Sequence, residues 1–133
     1  MGSGRGRRRG SAGSERRRGK LLEALRWSLD WGERAEWLAE LAAEGDTVPA
    51  ALVRQPDLPD RLAFIWGAFH DLRGERALGF GSVGAIPWSA IDRYARRSGL
   101  ADSDEFARFA ALLRAMDAVW LAWMREKMKP TGT

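Results

Sequence analysis

Residues 102–128 read DSDEFARFAALLRAMDAVWLAWMREKM, and this stretch decides the fold class. Phe106, Phe109, Leu113, Met116, Trp120 and Trp123 recur at spacings of 3, 4, 3, 4 and 3, the period of one helix face rather than the alternation of a strand. Ahead of them Asp102 and Glu105 stand three residues apart, where an N-cap side chain and its partner can satisfy each other's backbone N–H groups. Asp117 lies three residues after Arg114, the spacing of an intrahelical ion pair. One long helix is predicted, with Phe106, Phe109, Leu113 and Met116 turned toward a core.

The same period continues toward the N-terminus. Pro87 suits the first position of a helix in which Trp88, Ile91 and Ala95 face inward with Tyr94 alongside, and Gly99 closes it. The segment RALGFGSVGAI at 76–86 is punctuated by Gly79, Gly81 and Gly84. It also carries Leu78, Phe80, Val83 and Ile86, too apolar for an exposed connector, so it is expected to pack down. Leu58, Leu62, Ile65, Phe69 and Leu72, spaced 4, 3, 4 and 3 with Trp66 widening the stripe, predict a helix ending near Gly74. Pro49, Pro56 and Pro59 make 46–59 a connector with one turn at 50–54. Upstream, Leu22, Leu25 and Leu29 open a first helix near Lys20, interrupted where Asp30 and Glu33 read as another capping box. Trp31, Ala35, Leu38 and Ala42 then carry a second segment to its stop at Gly45. No segment alternates with period 2 for long. The expected fold is all-α: a compact bundle of four to five helices over 20–128, between a disordered basic N-terminal arm at 1–19 and a disordered tail at 129–133.

The arm, MGSGRGRRRGSAGSERRRG, has no large apolar side chain after Met1 and so nothing to bury against the entropy of ordering. Residues 1–20 hold eight Arg and Lys against Glu15, a net +7, while the whole chain is +4. The remaining 113 residues are therefore −3, and such a body repels phosphate on average. Any contact with nucleic acid would run through the arm, at Arg7, Arg8, Arg9, Arg16, Arg17 and Arg18. Arg outnumbers Lys 19 to 3, a bias that a GC-rich genome would also produce in an extension translated from upstream of the true start.

Chemistry finds little to work with. At 133 residues the chain suits one domain; without Cys it has no disulfide, thiol nucleophile or thiolate metal ligand, which fits a cytosolic product. No apolar run approaches the roughly 18 to 20 residues of a membrane span. Glu23, Arg26 and Asp30 interrupt what could pass for a signal sequence, so no membrane partner is expected. Gly79 to Gly84 spells GxGxxG, but a dinucleotide site needs a strand before it and a helix directly after. His70 lies on the flank of a helix whose inward positions are Phe69 and Leu72, a boundary histidine rather than a base or ligand. The stretch from Ile91 to Met116 has the outline of a helix-turn-helix, yet its second helix opens with Asp102, Asp104 and Glu105 where a reader of DNA needs cations or amides. No catalytic residue, cofactor or metal is expected. Seven Trp are a surplus, and Trp27, Trp31 and Trp37 cannot share one helix face, so at least one must lie exposed or under another element.

The blocks Gln55-Pro-Asp-Leu-Pro, Ala63-Phe-Ile-Trp-Gly-Ala-Phe, Gly79-Phe-Gly, Ile86-Pro-Trp-Ser-Ala-Ile-Asp-Arg-Tyr-Ala and Arg114-Ala-Met-Asp give the chain its one family likeness. In their order it resembles small tail-morphogenesis proteins of tailed phages and prophages, the tail assembly chaperones, from about Trp37 to Trp123. The resemblance implies a non-enzymatic helper that keeps the long helical tape-measure protein soluble until tail-tube subunits polymerise around it. Such a protein needs an apolar surface for a client helix, with Trp66, Phe80, Trp88, Trp120 and Trp123 as its candidate anchors. The arm lies outside the resemblance; a nucleic-acid-binding protein acting through it is the alternative.

Overall fold

A computed structural model describes residues 3–45, 48–79, 82–100 and 102–129. Five helices of nine or more residues carry it: α1 (Ser3–Trp31), α2 (Ala35–Glu44), α4 (Ala63–Asp71), α5 (Trp88–Arg97) and α6 (Ser103–Met128), with a single turn, α3 (Ala50–Val53). The long α6 forms the spine, packed against α1, α4 and α5. Leu21 and Leu25 of α1, Leu62, Ile91 of α5, and Leu113 and Met116 of α6 lose essentially all their exposure in one shared core. Phe69, Leu72, Ala90, Ala95 and Phe109 complete its interior. Ile65 and Phe106, both expected inside, are half-buried at its edge.

Near α5 and α6 the turn at Gly99 acts as read, and of the Asp102–Glu105 capping box the Asp102 half is made. Asp102 is the N-cap of α6, its carboxylate accepting from the N–H groups of Asp104 and Glu105 at 3.1 Å each. Gly99 adopts φ +85°, and the N–H groups of Gly99 and Leu100 return to the carbonyls of Arg96 and Ala95. That pairing terminates α5 and turns the chain back into α6, and a side chain at position 99 would strain it. Pro87 stands one residue earlier than expected, as the N-cap of α5.

Elsewhere tertiary context overrides the local pattern. The Asp30–Glu33 capping box is not made: α1 runs on to Trp31, a 3-10 turn spans Gly32–Arg34, and Arg34 precedes α2 without a side-chain cap. The helix expected from Leu58 starts as a 3-10 turn at Asp60–Leu62, since Pro59 holds an extended ψ of 145° before it. The glycine-rich segment packs down only in part: Ile86 is buried and Val83 half-buried, but Leu78, expected to pack, is 80% exposed in a two-residue antiparallel ladder of β1 (Leu78–Gly79) and β2 (Ser82–Val83). Gly84 gives its N–H to the Ala77 carbonyl at 2.8 Å, where an added Cβ would come within 3.2 Å of that oxygen. The last glycine of the GxGxxG string thus serves a close backbone approach, and α5 begins only at Trp88.

The expectation for residues 1–19 divides. The backbone of α1 continues back to Ser3, a helix propagated from its packed half at one hydrogen bond per added residue. Of its described side chains from Gly13 to Lys20 none enters the core, though Arg17 is half-buried, and Leu21 is the first to do so. Of the tail expected at 129–133, residues 130–133 lie outside the described residues.

Candidate functional site

The aromatic side chains singled out from the sequence fall into different settings. Trp66 and Trp120 are half-buried supports: Trp66 lies 4.9 Å from His70, ring to ring, and its carbonyl is 2.8 Å from His70 Nδ1. Trp120 carries the guanidinium of Arg76 at 3.9 Å from its ring centroid. Beneath that cation is the ion pair that organises the loop. Arg76, 9% exposed, pairs with Asp117, 5% exposed, and the same carboxylate accepts the Ile86 N–H at 3.0 Å. Asp117 therefore pairs across the fold, not with Arg114 along its own helix, and ties the loop between the 3-10 turn at Leu72–Glu75 and α5 to the middle of α6. Burial of both groups, which excludes water from the pair, selects that partner over an exposed neighbour.

Trp88 differs. It is 52% exposed and meets Phe106 edge to face at 5.4 Å, and with Asp92, Arg96, Leu100 and Ser103 the two line a notch of about 240 Å³ at the α5–α6 turn. Trp123, half-buried under Lys127 at 5.3 Å, lines a larger groove of about 410 Å³ with Leu29 of α1 and Ala118, Val119 and Ala122 of α6. Arg26 and Asp30 stand on the α1 wall of that groove. Its small side chains allow a backbone to approach closely, and its length along two helices suits a third helix better than a compact ligand. Phe80 lies outside the described residues.

Three exposed apolar positions were not among the sequence candidates. Trp37, 52% exposed, and Leu41, 37% exposed, stand one turn apart on α2, and Phe64 of α4 is 44% exposed beside Tyr94 and Phe109. At least one of Trp27, Trp31 and Trp37 is expected from the sequence to lie exposed or under another element; Trp27 and Trp31 are on α1 and Trp37 on α2, so they share no helix axis, and Trp37 is the exposed ring. Trp27 instead donates from Nε1 to the Ala51 carbonyl at 2.8 Å, fixing α3 beside α1.

Of the arm's cations, Arg16 and Arg18 are exposed and Arg17 is half-buried, its Nε donating to the Gly13 carbonyl at 3.4 Å. The side chains of Arg7, Arg8 and Arg9 lie outside the described part of the structure. Among the described residues, no three His, Asp or Glu side chains gather as a metal site would require, and no helix is long and apolar enough to cross a membrane.

Residues 41–122, which hold α3, α4, the Arg76–Asp117 pair, α5 and most of α6, match the family described as phage tail assembly chaperone. The chain belongs to that family. No curated protein and no solved structure matches it. The Trp88 notch and the α6 wall of the larger groove up to Ala122 are in the family segment, whereas α1 and the arm precede it.

Proposed function

We propose that this tail assembly chaperone binds a helical stretch of the tape-measure protein and holds it soluble until tail-tube subunits take over, without any catalysis. The groove between α1 and α6 carries the reading: an apolar trough of about 410 Å³ walled by two helices, in a family that handles phage tail proteins. A client helix would seat apolar side chains over Ala118 and Ala122 and against Trp123, with Arg26 and Asp30 fixing its register. The bacterial cytosol, where tails assemble, is the setting this role requires. Its gene should stand between those of the major tail protein and the tape measure.

Co-expression with the tape-measure protein tests the proposal. Trp123→Ala should reduce capture at least tenfold, as removal of a buried aromatic anchor does, while Arg97→Ala leaves it unchanged. Equal capture by all variants would remove the groove from consideration. Arg16 and Arg18, exposed on the arm, favour a second reading in which the arm holds nucleic acid. Deleting residues 1–19 should then abolish salt-dependent binding to DNA or RNA and leave client capture intact.

A further inference from the structure

The client reading, on which this inference rests, calls for a face that accepts a helix, and the chain already seats one of its own there. Residues 15–18 of α1 share a groove with 107–112 of α6, and residues 26–30 share another with 118–123, so the two helices lie side by side in the same direction. Between those grooves Leu21, Ala24 and Leu25 enter the core, with Leu22 and Leu29 packed at its edge. Leu21, Leu25 and Leu29 form a stripe with one Leu every fourth residue. This is how an amphipathic helix is received by a groove-forming partner.

Three observations set α1 apart from the rest of the core. It precedes residues 41–122, the segment shared with the family, which supplies α4, α5 and nearly all of α6. Among the described residues no ion pair joins α1 to another element, and its one outgoing side-chain hydrogen bond is that of Trp27 to Ala51. The seam is also underfilled at both ends, by about 290 Å³ beside Glu15, Arg18, Ala107 and Ala111, and by about 410 Å³ beside Leu29 and Trp123. Apart from that one hydrogen bond, apolar packing holds α1, and space remains at either end of the seam.

We propose that α1 is a tethered occupant of the face of α6 it covers, and that a client helix with the same Leu-every-fourth-residue stripe, first seated over Ala118, Ala122 and Trp123 and guided by Arg26 and Asp30, takes the rest of that face by displacing α1. A tether gives α1 an effective concentration in the millimolar range. An untethered helix of the same length competes only as it approaches that concentration, whereas a long client gains further by continuing along α6 past both ends of the α1 stripe. The apolar face then stays covered until the right partner arrives, and apparent affinity is lowered by the fraction of molecules in which α1 is open.

Hydrogen exchange on the full chain tests the displacement without knowledge of the client. Amides of residues 22–30 should exchange at least tenfold faster than those of residues 109–117, through an opening insensitive to denaturant, as local openings are. Equal rates with equal denaturant dependence would mean that α1 leaves only when the domain unfolds, and would overturn the proposal. The absence of Cys permits a second measurement. Arg18→Cys with Ala111→Cys places two exposed thiols across the smaller groove, where a short bismaleimide can lock α1 down. A labelled peptide of residues 17–31 should bind the unlocked chain and bind the locked chain at least tenfold more weakly. Equal binding to both, or none to either at millimolar peptide, counts against a displaceable α1. Both readouts concern α1 alone, so they remain interpretable if the tape-measure protein proves not to be the client.

Discussion

Replacing Asp117 by Ala removes the counter-charge of a guanidinium that is 9% exposed and the acceptor of the Ile86 N–H. Breaking a buried pair by deleting one partner costs about 3 to 5 kcal/mol, because the remaining charge is stranded away from water. The orphaned Ile86 N–H adds a desolvation penalty of about 1 to 3 kcal/mol, partly shared with the first because the loop can peel off α6 and hydrate both groups. A total of about 4 kcal/mol is a large share of the roughly 5 to 15 kcal/mol that stabilises a domain of this size. Urea unfolding followed by Trp fluorescence and by far-ultraviolet circular dichroism measures it. Replacing both residues, Arg76→Leu with Asp117→Leu, should recover more than half the loss, since an apolar pair strands no charge. A loss below about 1 kcal/mol for Asp117→Ala, or a double variant no better than the single, would refute the claim that the pair clamps the loop.

Tyr94, the chain's one tyrosine, has its phenol held above the ordinary range by burial, by its 2.8 Å hydrogen bond to Asp71 and by that carboxylate's charge. A raised folded-state value means that the group's contribution to stability is complete below the unfolded value near pH 10 and is lost as pH rises through the folded one. Wild type should thus lose stability relative to Tyr94→Phe in alkali, and phenolate absorbance, free of other tyrosines, reads the titration directly. Leu113→Ala, at a site with no exposure, should cost about 2 to 5 kcal/mol in urea unfolding. Asp102→Ala, which strips two N–H groups of their acceptor at the start of α6, should cost about 1 kcal/mol and spare the m-value.

What the sequence disclosed was the part governed by near neighbours. The 3-4 spacing of Phe106 through Trp123, the cap at Asp102 and the turn at Gly99 are encoded within a few residues, and α5 and α6 follow them. Asp117 shows where local reasoning stops: Arg114 was the nearer partner by spacing, but Arg76 is brought to it by the fold and the surrounding apolar groups favour pairing there. The capping box at Asp30 failed for a related reason, since α1 gains more by continuing to Trp31, beside Arg34 at 5.6 Å, than by stopping at a cap. The β1–β2 ladder has Phe80-Gly81 between its strands, not the Asn-Gly or Asp-Gly pair that announces a hairpin. Among the proposed anchors, periodicity could say that Trp66, Trp88, Trp120 and Trp123 lie on helices, but which are covered depends on Arg76, Lys127 and α1, none of which is a neighbour in the pattern of Trp66 or Trp88.

The alignment of α1 with α6 also sets the order in which this chain can mature on the ribosome. Residues that face each other across that seam, such as Arg18 and Ala111, are separated by about ninety positions, so their meeting requires closure of almost the entire chain. Contacts among α4, the β1–β2 loop and α5 are far shorter in range and can form while synthesis continues. The Leu21–Leu29 stripe, made first, must then wait for the last helix before it is covered. A nascent chain stalled before Met116 exposes that stripe and is prone to aggregate. The final helix is therefore both the spine of the finished domain and the step that closes its folding.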